Sequence, residues 1–174
     1  MALYLIELTP ATASKDEATA LIETVSNSLS EGAELIETQV SADHKLIFAI
    51  IESENTAFAP ALTAAIGERA SVVGPDEVRL AGAELDDIKK LKKDADYLVE
   101  WDIPAEITME QYLTRKKANA PKYAEVPEVS FLRTYVREDT AKCLCFYDAP
   151  DEDAVLRARK AVSTPIDRLF KLHA

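Results

Sequence analysis

The chain has 174 residues, 48% apolar and 29% charged, which is enough to build one domain or two small ones around a buried core. Its net charge of −11 argues against nucleic acid as a partner, because phosphate-binding surfaces need a basic patch. No apolar run reaches the ~18 to 20 residues of a membrane span, and the first residues form a strand pattern rather than a signal peptide. We therefore expect an acidic cytoplasmic protein without a membrane partner.

The first half of the chain predicts the order strand, helix, strand, strand, helix, strand. LYLIEL at residues 3–8 is a strand pattern, and KDEATALIETVSNSLSE, from Lys15, is helical. Two strand segments then flank the polar turn SADHK, which contains His44. FAPALTAAIGERA is a less regular helix because it contains Pro60, and GPDEVRL supplies the last strand.

The same order recurs after AELDDIKKLKKDA, residues 83–95, which reads as a charged helical linker. YLVEWDI is a strand, and Thr108 can N-cap the helix MEQYLTRKKANAPKYAE, which Pro121 should end or distort. SFLRTYV and KCLCFYD flank the turn REDTA as a hairpin. Asp151 then starts the helix EDAVLRARKAV, and DRLFKL is the final strand.

An internal repeat relates the two halves, since Tyr4 and Glu7 align with Tyr97 and Glu100. The order βαββαβ is typical of an α+β, ferredoxin-like fold, with both helices on one face of an antiparallel sheet. We predict two tandem ferredoxin-like repeats, residues 1–82 and 96–174. Because each would leave one sheet face uncovered, we expect the sheets to pack as a pseudo-dimeric α+β barrel that encloses a cleft, with further self-association left open.

Strand alternation assigns side chains to the open face of each sheet. In the second repeat it predicts this set for the open face: Leu98, Glu100, Asp102, Phe131, Arg133, Tyr135, Cys143, Cys145 and Tyr147. The repeat adds Leu5, Glu7, Leu35, Glu37, Gln39, Leu46, Phe48 and Ile50. The interior of the cleft would thus be apolar, with a few charges that need partners.

The charged and aromatic members of this set are the candidate ligand-binding residues: Glu7, Glu37, Glu100, Arg133, Tyr135 and Tyr147. One interpretation is structural, with Arg133 paired to a glutamate inside the protein. The other is functional, with these side chains recognising a small polar molecule or a cation.

Cys143 and Cys145 are two residues apart in one predicted strand. Their backbones would be about 6.5 to 7 Å apart, a long spacing for two ligands of one tetrahedral ion, so they are interpreted as small apolar residues. The alternatives are reactive thiols or a metal site with Glu100. His44 and His173 have no nucleophile or carboxylate at motif spacing, and no glycine-rich phosphate loop or other catalytic signature occurs.

Three segments resemble a domain-of-unknown-function family that includes a small nickel-binding ferredoxin-like protein: YLVEWDIPAEITMEQ, VSFLRTYVREDTAKCLCFYDAPDEDAV and TPIDRLFKL. All lie in the second half, and the first half resembles the family only as a diverged repeat. The resemblance implies the ferredoxin-like fold and nickel as a cofactor. Two histidines usual in the family are Arg133 and Ala158 here, which leaves Glu100, whereas nickel prefers nitrogen donors.

With no catalytic constellation in the sequence, the leading hypothesis is a non-catalytic protein that binds a small molecule or a divalent cation in the cleft between the sheets. The alternative is an enzyme of the dimeric α+β barrel type, with Glu100 and Tyr135 or Tyr147 as acid and base.

Overall fold

The computed structural model describes residues 1–90 and 94–172 of a mixed α+β fold with antiparallel strand pairing. The elements are β1 (Ala2–Pro10), α1 (Lys15–Ser28), β2 (Ala33–Val40), β3 (Ile47–Ser53), α2 (Ala59–Ile66), β4 (Ala70–Ala81), α3 (Leu85–Lys89), β5 (Tyr97–Asp102), α4 (Met109–Asn119), β6 (Ser130–Arg137), β7 (Lys142–Asp148), α5 (Glu152–Ala161) and β8 (Arg168–Lys171). Part of the predicted helical linker over residues 83–95, and also His173, lie outside the described residues.

The helix boundaries follow from capping chemistry. Thr108 accepts a hydrogen bond from the Gln111 backbone amide, and the Gln111 side chain accepts one from the Thr108 amide, which completes a capping box at the start of α4. Asp151 caps α5 through one such bond, in which its carboxylate accepts from the Ala154 backbone amide. The α-helix ends at Asn119, and the chain continues as a 3-10 helix from Ala120 to Glu125, as the proline in this segment predicts.

The chain divides into two compact units. The first contains residues 1–78 and the segment with α3, and its strands are ordered β2-β3-β1-β4. α1 and α2 cover one face of this sheet, where Leu21 and Leu62 pack with Ile6 and Ile51 in one apolar core. Antiparallel strands in this order, with the helices on one face, have the ferredoxin-like arrangement that the sequence predicts.

The second unit contains residues 79–84, including the end of β4, and the chain from β5 to β8. Its strands are ordered β6-β7-β5-β8, and α4 and α5 cover one face. Tyr112 of α4 and Val155 of α5 pack there with Trp101 and Tyr147. The opposite face is also buried, since Leu98 and Phe146 are almost fully shielded from solvent. No helix among residues 1–90 and 94–172 is long and apolar enough to cross a membrane.

The predicted faces of β7 are wrong. Cys143, Cys145 and Tyr147 belong to the apolar core under the helices, and the register places Cys143 opposite Trp101. Residues paired across strands share a face, so all three side chains point away from the predicted cleft. The error arose because both faces of β7 are buried, which leaves no polar alternation in KCLCFYD to identify either one.

Two bulges cause the remaining errors in face assignment. The β6–β7 register shifts between Phe131 and Arg133, so Phe131 packs on the helix side although Arg133 does not belong to that core. The β2–β3 register shifts in the same way between Leu35 and Glu37, and Leu35 packs against the core under α1 and α2. One extra residue in a strand inverts the alternation on one side of the bulge.

Candidate active site

A pocket of about 320 Å³ opens on the helix side of the second unit. Its wall combines residues of α4 and α5 with side chains of the underlying strands and the turn after β4. The lining includes Gly82, Trp101, Tyr112, Arg115, Lys116, Lys117, Tyr123, Phe131, Cys145 and Arg159. An apolar, aromatic wall with a few polar groups is typical of a small-molecule site.

Within the described part of the chain, the charged residues that line the pocket are all cationic: Arg115, Lys116, Lys117 and Arg159. The guanidinium of Arg115 lies 5.5 Å from the centre of the Trp101 ring, and Nζ of Lys116 lies 4.3 Å from that of Phe131. Both distances are within the range of cation–π contacts, which hold the two cations against the aromatic wall. The pocket is therefore locally positive in a chain whose net charge is −11.

Three hydrogen-bonded side chains connect α5 to the pocket wall. Nη1 of Arg159 donates to Oη of Tyr147 over 3.1 Å, and the hydroxyls of Tyr147 and Tyr123 are 2.6 Å apart. Because the Tyr147 oxygen already accepts from a cation, its own proton is best directed to Tyr123. The Tyr123 proton is then available to a molecule in the pocket.

Burial keeps both phenols protonated. It raises the pKa of Tyr123 to about 12 and raises the pKa of Tyr147 well above its usual range. The ring of Tyr123 also stacks on Phe131, with interplanar angle 5° and centroids 5.4 Å apart. Tyr123 is therefore a fixed, protonated donor at neutral pH, suited to donating rather than accepting a proton.

Sequence reasoning missed Arg159 as a functional candidate, as it missed Tyr123 and the cations of α4. Arg159 is only 2% exposed, and Nη2 donates to the Pro165 carbonyl over 2.5 Å. Its buried Nε has no hydrogen-bond partner among residues 1–90 and 94–172. A buried donor without a partner lowers the stability of the fold, so its presence points to a functional role such as binding a ligand. The signal was present: Arg159 lies four residues after Val155 and three before Val162, on the apolar face of α5.

The two thiols lie beneath the pocket. Oγ1 of Thr134 donates to Sγ of Cys145 over 3.2 Å, and Cys145 borders the cavity. A hydrogen bond from Cys143, aided by the positive charges of Lys116 and Arg159, lowers the pKa of Cys145 well below its usual range. The pKa of Cys143 is raised in turn, so Cys145 is the thiol that ionises first.

Glu100 lies on the opposite face of the same sheet. Its Oε1 accepts from Nε of Arg168 over 3.0 Å, and its Oε2 lies 2.7 Å from Nζ of Lys142, close enough for an ion pair although not aligned as a hydrogen bond. The guanidinium of Arg133 lies 4.9 Å from the centre of the Phe146 ring. These contacts make Glu100 part of a charged cluster within the second unit.

The six candidates from the sequence are thus divided. Tyr147 lies under the pocket, bonded to two of its lining residues. Tyr135 packs edge-on against Phe146, on the face that bears Glu100 and Arg133. Glu7 and Glu37 lie in β1 and β2 of the first unit, opposite Phe48 and Ile50 respectively.

The residues present do not fit a nickel site. Both oxygens of Glu100 are engaged by cations, and Cys143 and Cys145 lie on the other face of the sheet from it. The family histidine positions hold Arg133, which is buried against an aromatic ring, and Ala158, which is buried in the core. Among residues 1–90 and 94–172, no group of three His, Cys, Asp or Glu side chains is arranged to hold a metal ion.

The family model described as "Nickel responsive protein SCO4226-like" matches residues 97–172. This confirms the predicted family resemblance for the second half of the chain, from β5 to the end of β8. A search of curated proteins found no match.

Two solved structures share the fold. A crystal structure described as "Putative Chlorite dismutase TA0507" is 15% identical, with a TM-score of 0.59, and the match covers 100% of this chain and 96% of that one. "Putative monooxygenase (FN1347)" from Fusobacterium nucleatum subsp. nucleatum is 14% identical, with a TM-score of 0.55, over 98% of this chain and 90% of that one. Such low identities show the fold alone.

These comparisons correct the leading functional hypothesis. A non-catalytic binding protein was expected, but both of these structures carry the descriptions of putative enzymes, which fits the alternative stated from the sequence better. The residues that were expected to act as acid and base in that alternative also need correction. In the second unit the pocket lies on the helix side of the sheet, whereas Glu100 and Tyr135 lie on the other face.

Proposed function

We propose that the chain is an enzyme whose active site is the helix-side pocket of the second unit, and that it donates a proton from Tyr123 to an oxygen of a small organic anion. The observation that carries this proposal is the series Arg159, Tyr147, Tyr123, which ends at the wall of a pocket whose charged lining residues are all cationic. A positioned acid of this kind typically contributes about 10²- to 10⁴-fold to a rate.

The pocket wall supports one class of substrate. Trp101, Tyr112, Tyr123 and Phe131 provide apolar, planar surfaces, and four cations surround them. A carboxylate with an aromatic or apolar body would satisfy both features, because the body is removed from water while the charge meets Arg or Lys. A carbonyl oxygen near Tyr123 would accept its proton as negative charge develops there.

The test uses phenylpyruvate, an aromatic carboxylate with a carbonyl group. As Tyr123 donates a proton to the carbonyl oxygen, solvent water takes a proton from the neighbouring carbon, and the electron pair left behind forms the carbon–carbon double bond of the enol. The protein should therefore accelerate deuterium exchange at that carbon in D₂O, measured by proton NMR. We expect Tyr123→Phe to lower the exchange rate at saturation by about 10²-fold while changing KM little, because the ring and its stacking remain.

The matched control is Tyr135→Phe, which removes the hydroxyl of a buried tyrosine on the other face of the sheet. It should leave the exchange rate unchanged. The methyl ester of phenylpyruvate should bind at least about tenfold more weakly than the acid, a loss of ~1.4 kcal/mol. Equal rates for the two Tyr variants, or equal affinity for acid and ester, would contradict the proposal.

We also propose that the two units are tandem ferredoxin-like repeats that act as one pseudo-dimeric body, as the sequence predicts. The same βαββαβ order in each unit, with helices on one face of each sheet, supports this. Its consequence is cooperative unfolding of the whole chain, which can be measured with the single tryptophan.

A further inference from the structure

We propose that Cys145 is a reactive thiolate of the same pocket, which forms a covalent bond to an electrophilic carbon of a bound carboxylate. The inference rests on the proposed function for its substrate class, and adds a second reacting group to the site. It starts from geometry: Cys145 borders the cavity, and the Thr134 hydroxyl donates to its sulfur over 3.2 Å.

Donors and cations around the sulfur favour its negative charge. The Thr134 hydroxyl supplies a hydrogen bond, and Lys116 and Arg159 supply positive charge. Both cations line the same pocket, and the buried Nε of Arg159 has a donor to spare for an anion. Cys145 is 1% exposed, so a reagent can reach it only through the pocket. A desolvated thiolate held by such partners is a strong nucleophile.

Groups already at the site can carry out every step of the reaction. For an α,β-unsaturated oxo acid, the thiolate sulfur bonds to the β-carbon and the carbon–carbon π bond breaks. The electron pair moves to the carbonyl oxygen, which takes the proton of Tyr123 to give an enol, and Tyr123 regains a proton from solvent. The carboxylate of such a substrate would lie among the cations of the wall, which positions the β-carbon for attack.

Alkylation kinetics on the whole protein test the inference. Iodoacetate is a small anion, and iodoacetamide is its neutral equivalent; with either, the sulfur–carbon bond forms as iodide leaves with its electron pair. We expect iodoacetate to label Cys145, located by mass spectrometry, and the ratio of its rate to that of iodoacetamide to exceed the ratio for glutathione by at least tenfold.

Three further measurements make the result specific. Phenylpyruvate should protect Cys145, because it occupies the same pocket. Lys116→Gln should lower the preference for iodoacetate, since it removes one cation from the wall while the protein stays folded by circular dichroism. The labelling rate should rise with pH and level off below the usual range for a cysteine, because only the thiolate reacts and its pKa is lowered.

Labelling of Cys143 in preference to Cys145, labelling only in denaturant, or a rate ratio equal to that of glutathione would overturn the inference. These outcomes are distinguishable from failure of the proposed function. If phenylpyruvate exchanges deuterium and depends on Tyr123 while Cys145 stays unreactive, the acid function stands and the nucleophile is wrong. If iodoacetate labels Cys145 selectively but no deuterium exchange occurs, the reactive thiolate stands and the acid function of Tyr123 is wrong.

Discussion

Gly82 borders the pocket at a point where no larger residue fits. Its φ of +82° is left-handed, and a Cβ built on it would lie 2.7 Å from Cε2 of Phe131. Phe131 stacks on Tyr123, so any movement of its ring is transmitted to the proton donor. Gly82 thus permits both the turn after β4 and the close approach of the aromatic wall.

Substitution at Gly82 should therefore affect binding as well as stability. Gly82→Ala introduces backbone strain, about 1–2 kcal/mol, and also displaces Phe131, which should weaken phenylpyruvate binding by about tenfold. Gly32→Ala is the matched control, because φ there is +93° but nothing lies within 4 Å of the added Cβ. Urea denaturation and ligand titration measure the two effects; equal affinities in both variants would contradict this role of Gly82.

Single residues also show where sequence reasoning succeeds. It predicted that Glu100 lies on the face away from the helices, and the structure agrees, because its strand neighbours Val99 and Trp101 belong to the helix-side core. It did not identify Arg168 and Lys142 as the partners of Glu100, since these come from β8 and β7 and meet it only through strand register. Partners across strands depend on registers that a single sequence does not fix.

At the scale of elements, α4 is the wall that shapes the pocket, since it supplies Arg115, Lys116 and Lys117. Its first turn is held by the capping box of Thr108 and Gln111. Loss of the cap would fray the turn that precedes Tyr112, another lining residue. The position of this helix thus connects a local hydrogen bond to the shape of the site.

Removing caps from two helices separates stability from binding. Thr108→Ala and Ser14→Ala each remove a hydroxyl that accepts a backbone N–H bond at a helix start, and each should lower the free energy of unfolding by about 1 kcal/mol. Only Thr108→Ala should also weaken phenylpyruvate binding, because α1 has no residue in the pocket wall. If Ser14→Ala weakens binding equally, the effect is one of general stability and not of α4.

Elements with strong local signals were predictable, and those governed by tertiary packing were not. Thr108 and Asp151 marked the starts of α4 and α5 because capping is a local interaction. The faces of β7 could not be read, since Cys143 to Tyr147 are buried on both sides. The bulge at Phe131 also has no recognisable signal in the sequence, and it determines which side of β6 reaches the pocket.

At the scale of the molecule, net charge and local charge have opposite signs. The net charge of −11 predicts repulsion of anions, yet folding gathers three cations of α4 and one of α5 around the pocket. In the sequence Arg115, Lys116 and Lys117 form only a short basic run, and Arg159 lies in a different helix and joins them on folding. In solution the net charge acts on a ligand only within about a Debye length of the surface, whereas inside a partly desolvated pocket the nearby cations act with little screening. A candidate substrate class can therefore be inferred only from the folded chain.

Cooperativity between the two units is the last property to test. The single tryptophan, Trp101, is buried in the second unit, so its fluorescence reports unfolding there. Leu21 is fully buried in α1 of the first unit, and Leu21→Ala should cost about 2–5 kcal/mol by leaving a cavity. If the tandem repeats act as one body, this distant change should lower the urea midpoint seen by Trp101 as much as the midpoint seen by far-UV circular dichroism.

Leu156→Ala is the control, because Leu156 is 46% exposed on α5 and its loss should cost no more than about 0.5 kcal/mol. Leu156 lies in the same unit as Trp101, so a purely local effect on Trp101 fluorescence would appear in the Leu156→Ala variant first. An unchanged Trp101 midpoint in Leu21→Ala, together with an earlier separate phase in circular dichroism, would mean that the units unfold independently. The pocket of the second unit would then depend on that unit alone for its stability, and the proposal of one pseudo-dimeric body would be wrong.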